Sequence, residues 1–185
     1  WTWEHLALTR ARPVAGTQAL MDEIDTFRQT LLARPSDEAK VRTDVLEIRE
    51  RIAAAKAPDG VWDAKIGTGR LQDIELTAQA AALLTGNATR DVVQSLNCGL
   101  ASKWCKDQEY DDLSESYNLH RTLQIATKLL GENALDPDAI GAGGVAFILR
   151  ETGAESFSEL QDQLTEAALR ASKAIDQMLA RPFDG

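Results

Sequence analysis

Val41, Val45, Ile48 and Ile52 recur at intervals of four, three and four, which places them on one side of a helix that turns by about 100° per residue. Ser36 stands where a cap for this helix is expected, and Pro58 follows its end. The same reading predicts helices near residues 2–12, 17–34, 71–85, 89–106, 111–130, 143–152 and 157–180. At the entry to the last of them, Ser156 with Glu159, and Ser158 with Gln161, have the form of a capping box. Alternating β-branched runs are missing. Long helices with short connections predict an all-α fold, an antiparallel up-and-down helical bundle with additional helices, each burying one stripe. Gly16, Gly86, Gly131 and Gly153 punctuate the chain, but no Pro/Ser-rich linker or internal repeat divides it. Residues 1–185 are therefore expected to form a single helical domain.

Two helices carry more than one stripe. Near 71–85, Leu71, Ile74, Ala78 and Ala82 form one apolar row and Leu76, Ala80 and Leu83 another, with Gln72, Glu75 and Gln79 between them. That arrangement suits either a helix packed on two sides and turned toward a polar cleft, or a plain solvent-facing strip. In the first helix Thr2, His5, Thr9 and Arg12 share one face, and Trp3, Leu6 and Arg10 the next. The bland expectation there is a core-packed tryptophan with a solvated basic edge.

Composition narrows the classes. With 185 residues, 44% hydrophobic and 26% charged, the chain is ordinary globular material, long enough to bury roughly 70% of the surface of its unfolded form. A net charge of −9 argues against a general nucleic-acid binder and against docking on anionic membranes. No window approaches the roughly 20 apolar residues of a membrane span, and no cleavable leader is evident, so a cytoplasmic location is expected. Cys98 and Cys105 are read as lying on one helix face about 10 Å apart along the axis, too far for a disulfide, and as small buried apolar residues. His5 and His120 have no Cys or His neighbours, so no metal site is expected. The chain opens without an initiator methionine and with helical periodicity already under way, as expected of a piece of a longer protein.

The candidate chemistry concentrates in the run from Asp63 to Glu75, where Lys65, Gly67 and Gly69 directly precede a helical sequence. Amides at a helix start lack intrahelical partners and sit at the positive end of the dipole, while glycines admit a phosphate closely. The alternative is a tight turn whose glycines only permit unusual backbone angles. Asp73 and Glu75, two apart, point roughly 200° from each other and cannot share one ion. Asp73 has the position of a first-turn carboxylate that complements the dipole by about 0.3–1 kcal/mol. Glu75, with Gln72 and Gln79, has the better claim to a functional contact. Gly141 to Gly144 lack the lysine and hydroxyl residue of a P-loop and suit a flexible helix entry. Neither His120 nor any serine is arranged as a nucleophile with its base, so no catalytic residue is predicted.

Two motifs together carry a resemblance: Trp1-Thr2-Trp3-Glu4-His5-Leu6-Ala7-Leu8-Thr9-Arg10-Ala11-Arg12, and Asp63-x-Lys65-x-Gly67-x-Gly69-x-Leu71-x-Asp73-Ile74-Glu75. The chain resembles the segment that follows a nucleotidyltransferase domain in bifunctional glutamine synthetase adenylyltransferase, which attaches AMP to a protein tyrosine of glutamine synthetase and removes it again in the regulation of nitrogen metabolism. The likeness covers most of the chain, is sharp at the two motifs and loose beyond Thr85. The tryptophan-rich wording looks like the second, adenylylating half of that tandem enzyme. Arg70 stands where the family usually has a further glycine, and Leu76 where it usually has phenylalanine. A side chain at Arg70 narrows the backbone angles but adds a guanidinium beside the anion site.

The resemblance implies a helical accessory domain that closes the nucleotide cleft and positions the protein substrate. ATP and Mg²⁺ would be held by the acidic residues of the upstream nucleotidyltransferase domain, whose Gly-Ser and Asp-x-Asp signatures are absent here. This chain would hold no cofactor and be inactive alone. Lys65, Gly67, Gly69, Arg70, Arg10 and Arg12 are then expected to face nucleotide phosphates, arginine's planar fork suiting that task. Asp63, Gln72, Asp73, Glu75 and Gln79 would line a domain interface or polar strip. The implied partners are the enzyme's own upstream domain and glutamine synthetase. A regulatory or docking module sensing glutamine or the PII signal protein, and a helical scaffold without ligand, are the alternatives.

Overall fold

Eight helices and no strand occur among the residues that the structure describes, which are 1–34, 36–131 and 135–183 of a computed structural model. They are α1 (Thr2–Arg10), α2 (Gln18–Leu32), α3 (Glu38–Ala55), α4 (Leu71–Leu84), α5 (Val92–Ala101), α6 (Asp107–Leu130), α7 (Gly141–Thr152) and α8 (Phe157–Ala180). The fold is all-α, and each predicted segment is helical.

Differences from the expected boundaries have local causes. The cap of α3 is Asp37 rather than Ser36: the Asp37 carboxylate accepts the Lys40 amide at 3.0 Å. Ser156 does cap α8, its hydroxyl accepting the Glu159 amide at 3.2 Å, but the Glu159 carboxylate reaches past the cap to the Glu155 amide at 2.8 Å. Ser158 lies inside the first turn of α8, so the second candidate box does not form. α5 stops at Ala101 because the chain turns left-handed at Lys103, with φ of 65°, and the Cys105 amide folds back onto the Gly99 carbonyl at 3.0 Å. Cys98 and Cys105 thus do not share a helix. Both are free thiols, and burial pushes Cys98 up from its ordinary value, away from reactivity.

The chain divides into two compact units, to both of which α3, α4, α6 and α8 contribute residues. Unit 1 comprises Trp1–Glu50, Glu75–Tyr110 and Gln177–Gly185. Within it the Leu76–Leu83 stretch of α4 is buried at every position but the half-buried Gln79, Thr77 included, as a helix packed on more than one side is. Leu32, Val45, Leu96, Trp104, Met178 and Leu179 complete this core. Unit 1 also buries one arginine. Arg28 of α2 donates from Nε to the Leu8 carbonyl at 2.7 Å and from Nη2 to the Thr9 and Ala88 carbonyls at 2.6 and 2.7 Å. It thereby satisfies the open C-terminal end of α1, where a cation is favoured. Arg90 donates to the Ala11 carbonyl at 2.8 Å and pairs with Asp25.

The burial of α1 corrects the expected one. Thr2, Leu6 and Thr9 face inward and the Thr9 hydroxyl donates to the Leu6 carbonyl at 2.7 Å, whereas Trp3 is 57% exposed. The buried side takes Thr2 and Thr9 from one expected row and Leu6 from the tryptophan's own.

Unit 2 comprises Arg51–Ile74 and Asp111–Asp176. Its core joins Ala64 and Leu71 to Leu123, Ala126, Leu135, Ile148, Leu160 and Leu164. Trp62 packs edge-on against Phe157, with ring centroids 5.4 Å apart and planes at 80°, the orientation that ring quadrupoles favour.

Candidate functional site

The predicted residues fall in two places, and each is built differently. In unit 2 the loop before α4 is organised by Asp63. One carboxylate oxygen accepts the Lys65 and Ile66 amides, both at 3.0 Å, and the other accepts the Asp59 amide at 3.2 Å. Burial raises the Asp63 carboxyl, but these donors and the Arg70 charge outweigh it and hold the group below the usual carboxylate range.

Four successive amides at the helix start, which the sequence offers to an anion, are engaged inside the chain. Gly69 N–H donates to the Asp73 carboxylate at 2.8 Å, Arg70 N–H to the Gly67 carbonyl at 3.3 Å, Leu71 N–H to Ala64 at 3.3 Å and Gln72 N–H to Lys65 at 3.1 Å. Asp73 therefore acts as a first-turn partner for backbone, beyond its dipole role. Arg70, expected to face a phosphate, points its Nη1 into the loop and bonds the Gly60 and Asp63 carbonyls at 2.9 and 2.5 Å. Gly67 and Gly69 both have positive φ, of 130° and 69°. A Cβ on Gly67 would meet only the flexible Arg70 side chain, at 3.0 Å. A Cβ on Gly69 would lie 2.7 Å from the Ser172 nitrogen and 2.8 Å from the Ala168 carbonyl carbon, with the Ala168 oxygen nearer still. Here the close approach that glycine permits is to the backbone of α8.

Behind the turn lies a buried pair that the sequence reading set aside. Ser116 of α6 donates from its hydroxyl to the Gly69 carbonyl at 2.8 Å, and the Nδ1 of His120 donates to the Ser116 carbonyl at 2.9 Å. His120 has no exposed surface, and its Nε2 has no hydrogen-bond partner. Burial lowers its pKa to about 4, against the Ser116 bond and aided by Arg70, so the ring is neutral at physiological pH. α6 and α8 thus grip the glycine turn from its carbonyl and its Cα.

Lys65 is the member of this group left at the surface. It borders a groove of about 250 Å³ whose lining also includes Lys56, Trp62, Gln124 and Lys128.

In unit 1, Arg10 and Glu75, sixty-five positions apart, meet in an ion pair: Nη1 lies 2.6 Å from Oε2, with 49% of the Arg10 and 22% of the Glu75 side chain exposed. Arg12 is exposed beyond the end of α1, and Gln72 and Gln79 are half-buried on α4. A hollow of about 370 Å³ lies beside α1, lined by Trp1, His5, Leu31, Arg34, Asp37 and Lys40 among others. Lys40 is tied to Asp44 at 2.8 Å. Sequence reasoning missed Arg28, Arg90, Lys56 and Lys128; an arginine in the middle of an otherwise amphipathic α2 was the signal for the first.

Among the described residues no group of three or more His, Cys, Asp or Glu is placed to hold a metal ion. The carboxylates around the turn are engaged, Asp63 with three amides, Asp73 with one and Glu75 with a guanidinium. The donor set does not fit Mg²⁺. No helix among the described residues is long and apolar enough to cross a membrane.

Residues 40–178 match a family model described as GlnD PII-uridylyltransferase. The chain is also similar to enzymes named bifunctional glutamine synthetase adenylyltransferase/adenylyl-removing enzyme. That of Agrobacterium fabrum is 31% identical over 95% of this chain and 18% of the relative. That of Rhizobium meliloti is 32% identical over the same shares, and that of Brucella suis 31% identical over 100% of this chain and 19% of the relative. The chain spans less than a fifth of the length of these relatives.

Proposed function

The chain belongs to the GlnD PII-uridylyltransferase family, and we propose that it is the helical domain accompanying the second, adenylylating nucleotidyltransferase unit of a glutamine synthetase adenylyltransferase. In this reading it closes one side of the nucleotide cleft and helps to position glutamine synthetase. ATP and Mg²⁺ are, in the same reading, bound by the upstream nucleotidyltransferase domain, in the cytoplasm.

The observation that carries the reading is the outer face of α1. Trp3 is 57% exposed on a helix whose far end is fixed by Arg28, and Trp1, just before that helix, is 82% exposed. Tryptophan and arginine on a rigid element are the residue types that dominate interfaces. On the same helix Glu75 fixes the Arg10 guanidinium by one nitrogen, which leaves further N–H donors for a partner or a phosphate. A match at 31% identity that spans 95–100% of this chain but less than a fifth of the relatives supports a role as one part of a larger enzyme.

The 185-residue chain, incubated with ATP, Mg²⁺ and glutamine synthetase, is expected to leave the target unmodified, as read by its intact mass. An AMP adduct on glutamine synthetase would overturn the accessory reading.

A further inference from the structure

The groove beside the glycine turn brings together three lysines from distant parts of unit 2: Lys56 just past α3, Lys65 in the turn and Lys128 in the last turn of α6. All three are exposed, and none is ion-paired with a described residue. Lys56 and Lys128 sit at helix C-terminal ends, where the carbonyl field favours a cation. Two carboxylates share the lining, Asp59 and Asp63, and the oxygens of Asp63 already accept three backbone N–H bonds. In a chain of net charge −9, three lysines lining one groove run against the overall balance. Trp62 and Gln124 add an aromatic wall and a carboxamide.

We propose that this groove binds a small anion of the phosphate class carrying two or more charges, held by the lysines rather than by the amides of the turn. Lysine serves such an anion as a mobile point charge and needs no fixed geometry. The source is either a free polyphosphate or the phosphates of a nucleotide whose ring lies on Trp62. The inference is independent of the accessory role above, because it is read on the chain by itself.

Calorimetric titration of the 185-residue chain with tripolyphosphate, and separately with ATP, both without metal, tests it. Saturable binding is expected. Each ammonium contributes about 1 kcal/mol of attraction at the surface, so Lys65→Gln should weaken binding about fivefold and Lys65→Gln/Lys128→Gln roughly 25-fold. Lys40→Gln in unit 1 should leave it unchanged. Lys65 is solvated, so Lys65→Gln should keep the wild-type thermal midpoint, and loss of the Lys128 charge at the end of α6 should lower it by no more than about 2–4 °C. Tighter binding of ATP than of tripolyphosphate assigns a nucleotide, and equal binding assigns the phosphates alone; both uphold the site. Absence of saturable binding of either probe, or affinity indifferent to the lysine replacements, overturns it.

Discussion

Replacing Gly69 with alanine is expected to destabilise the chain by about 3–4 kcal/mol, the sum of placing an L side chain in the left-handed region and of overpacking against backbone. The turn has φ of 69°, and the added methyl would meet the Ala168 and Ser172 backbone of α8, which has no rotamer to give. For a chain of this size that is a fall in thermal midpoint of roughly 6–16 °C. Gly143→Ala is the control: Gly143 is helical, its Cβ would meet nothing within 4 Å, and the exchange should be neutral or stabilising by about 0.5–1 kcal/mol. A Gly69→Ala midpoint equal to that of the parent would remove the packing explanation of the turn.

Arg28→Met carries the second large effect. Three carbonyls, of Leu8, Thr9 and Ala88, lose a buried charged donor at once. Hydrogen bonds to charged groups are worth about 1.5–3 kcal/mol each but are not additive, so the expected loss is about 2–4 kcal/mol. The damage should begin locally. α1 has nine residues, too few to hold a helix in water without tertiary support, so its amides should lose hydrogen-exchange protection before the rest of unit 1. Unchanged protection of Leu6 and Thr9 in Arg28→Met would show that α1 is held by something else.

The helices were legible because their signals are local. A four-three-four spacing, a serine three residues before a glutamate and a glycine past a helix end all act within a turn or two. What remained illegible depends on residues far apart. The amides of Leu71 and Gln72 find their acceptors in Ala64 and Lys65, seven residues upstream, through a loop shape set by Asp63. Without that geometry, Gly67, Gly69 and Lys65 read as an anion cradle. The Arg10–Glu75 pair spans sixty-five positions and was divided between two expected roles. Hydrophobicity alone puts Trp3 in the core, but the two neighbouring rows of α1 differ little in polarity, and the buried threonines find partners: the Thr9 hydroxyl bonds the Leu6 carbonyl and the Thr2 side chain bonds Asp44. The α5 break fell at Lys103, a non-glycine residue with positive φ that no composition rule marks.

The proposed docking of α1 against the rest of a larger enzyme is tested most directly at Trp3, which is exposed on that helix. In the 185-residue chain Trp3→Ala removes an exposed ring and should change stability by no more than about 0.5 kcal/mol. In a full-length adenylyltransferase containing this segment, the same substitution should lower kcat/KM for AMP transfer to glutamine synthetase about tenfold, the loss of one interface anchor of roughly 1.4 kcal/mol. An enzyme that folds, carries Trp3→Ala and transfers AMP at the parental rate would contradict the proposed docking of α1.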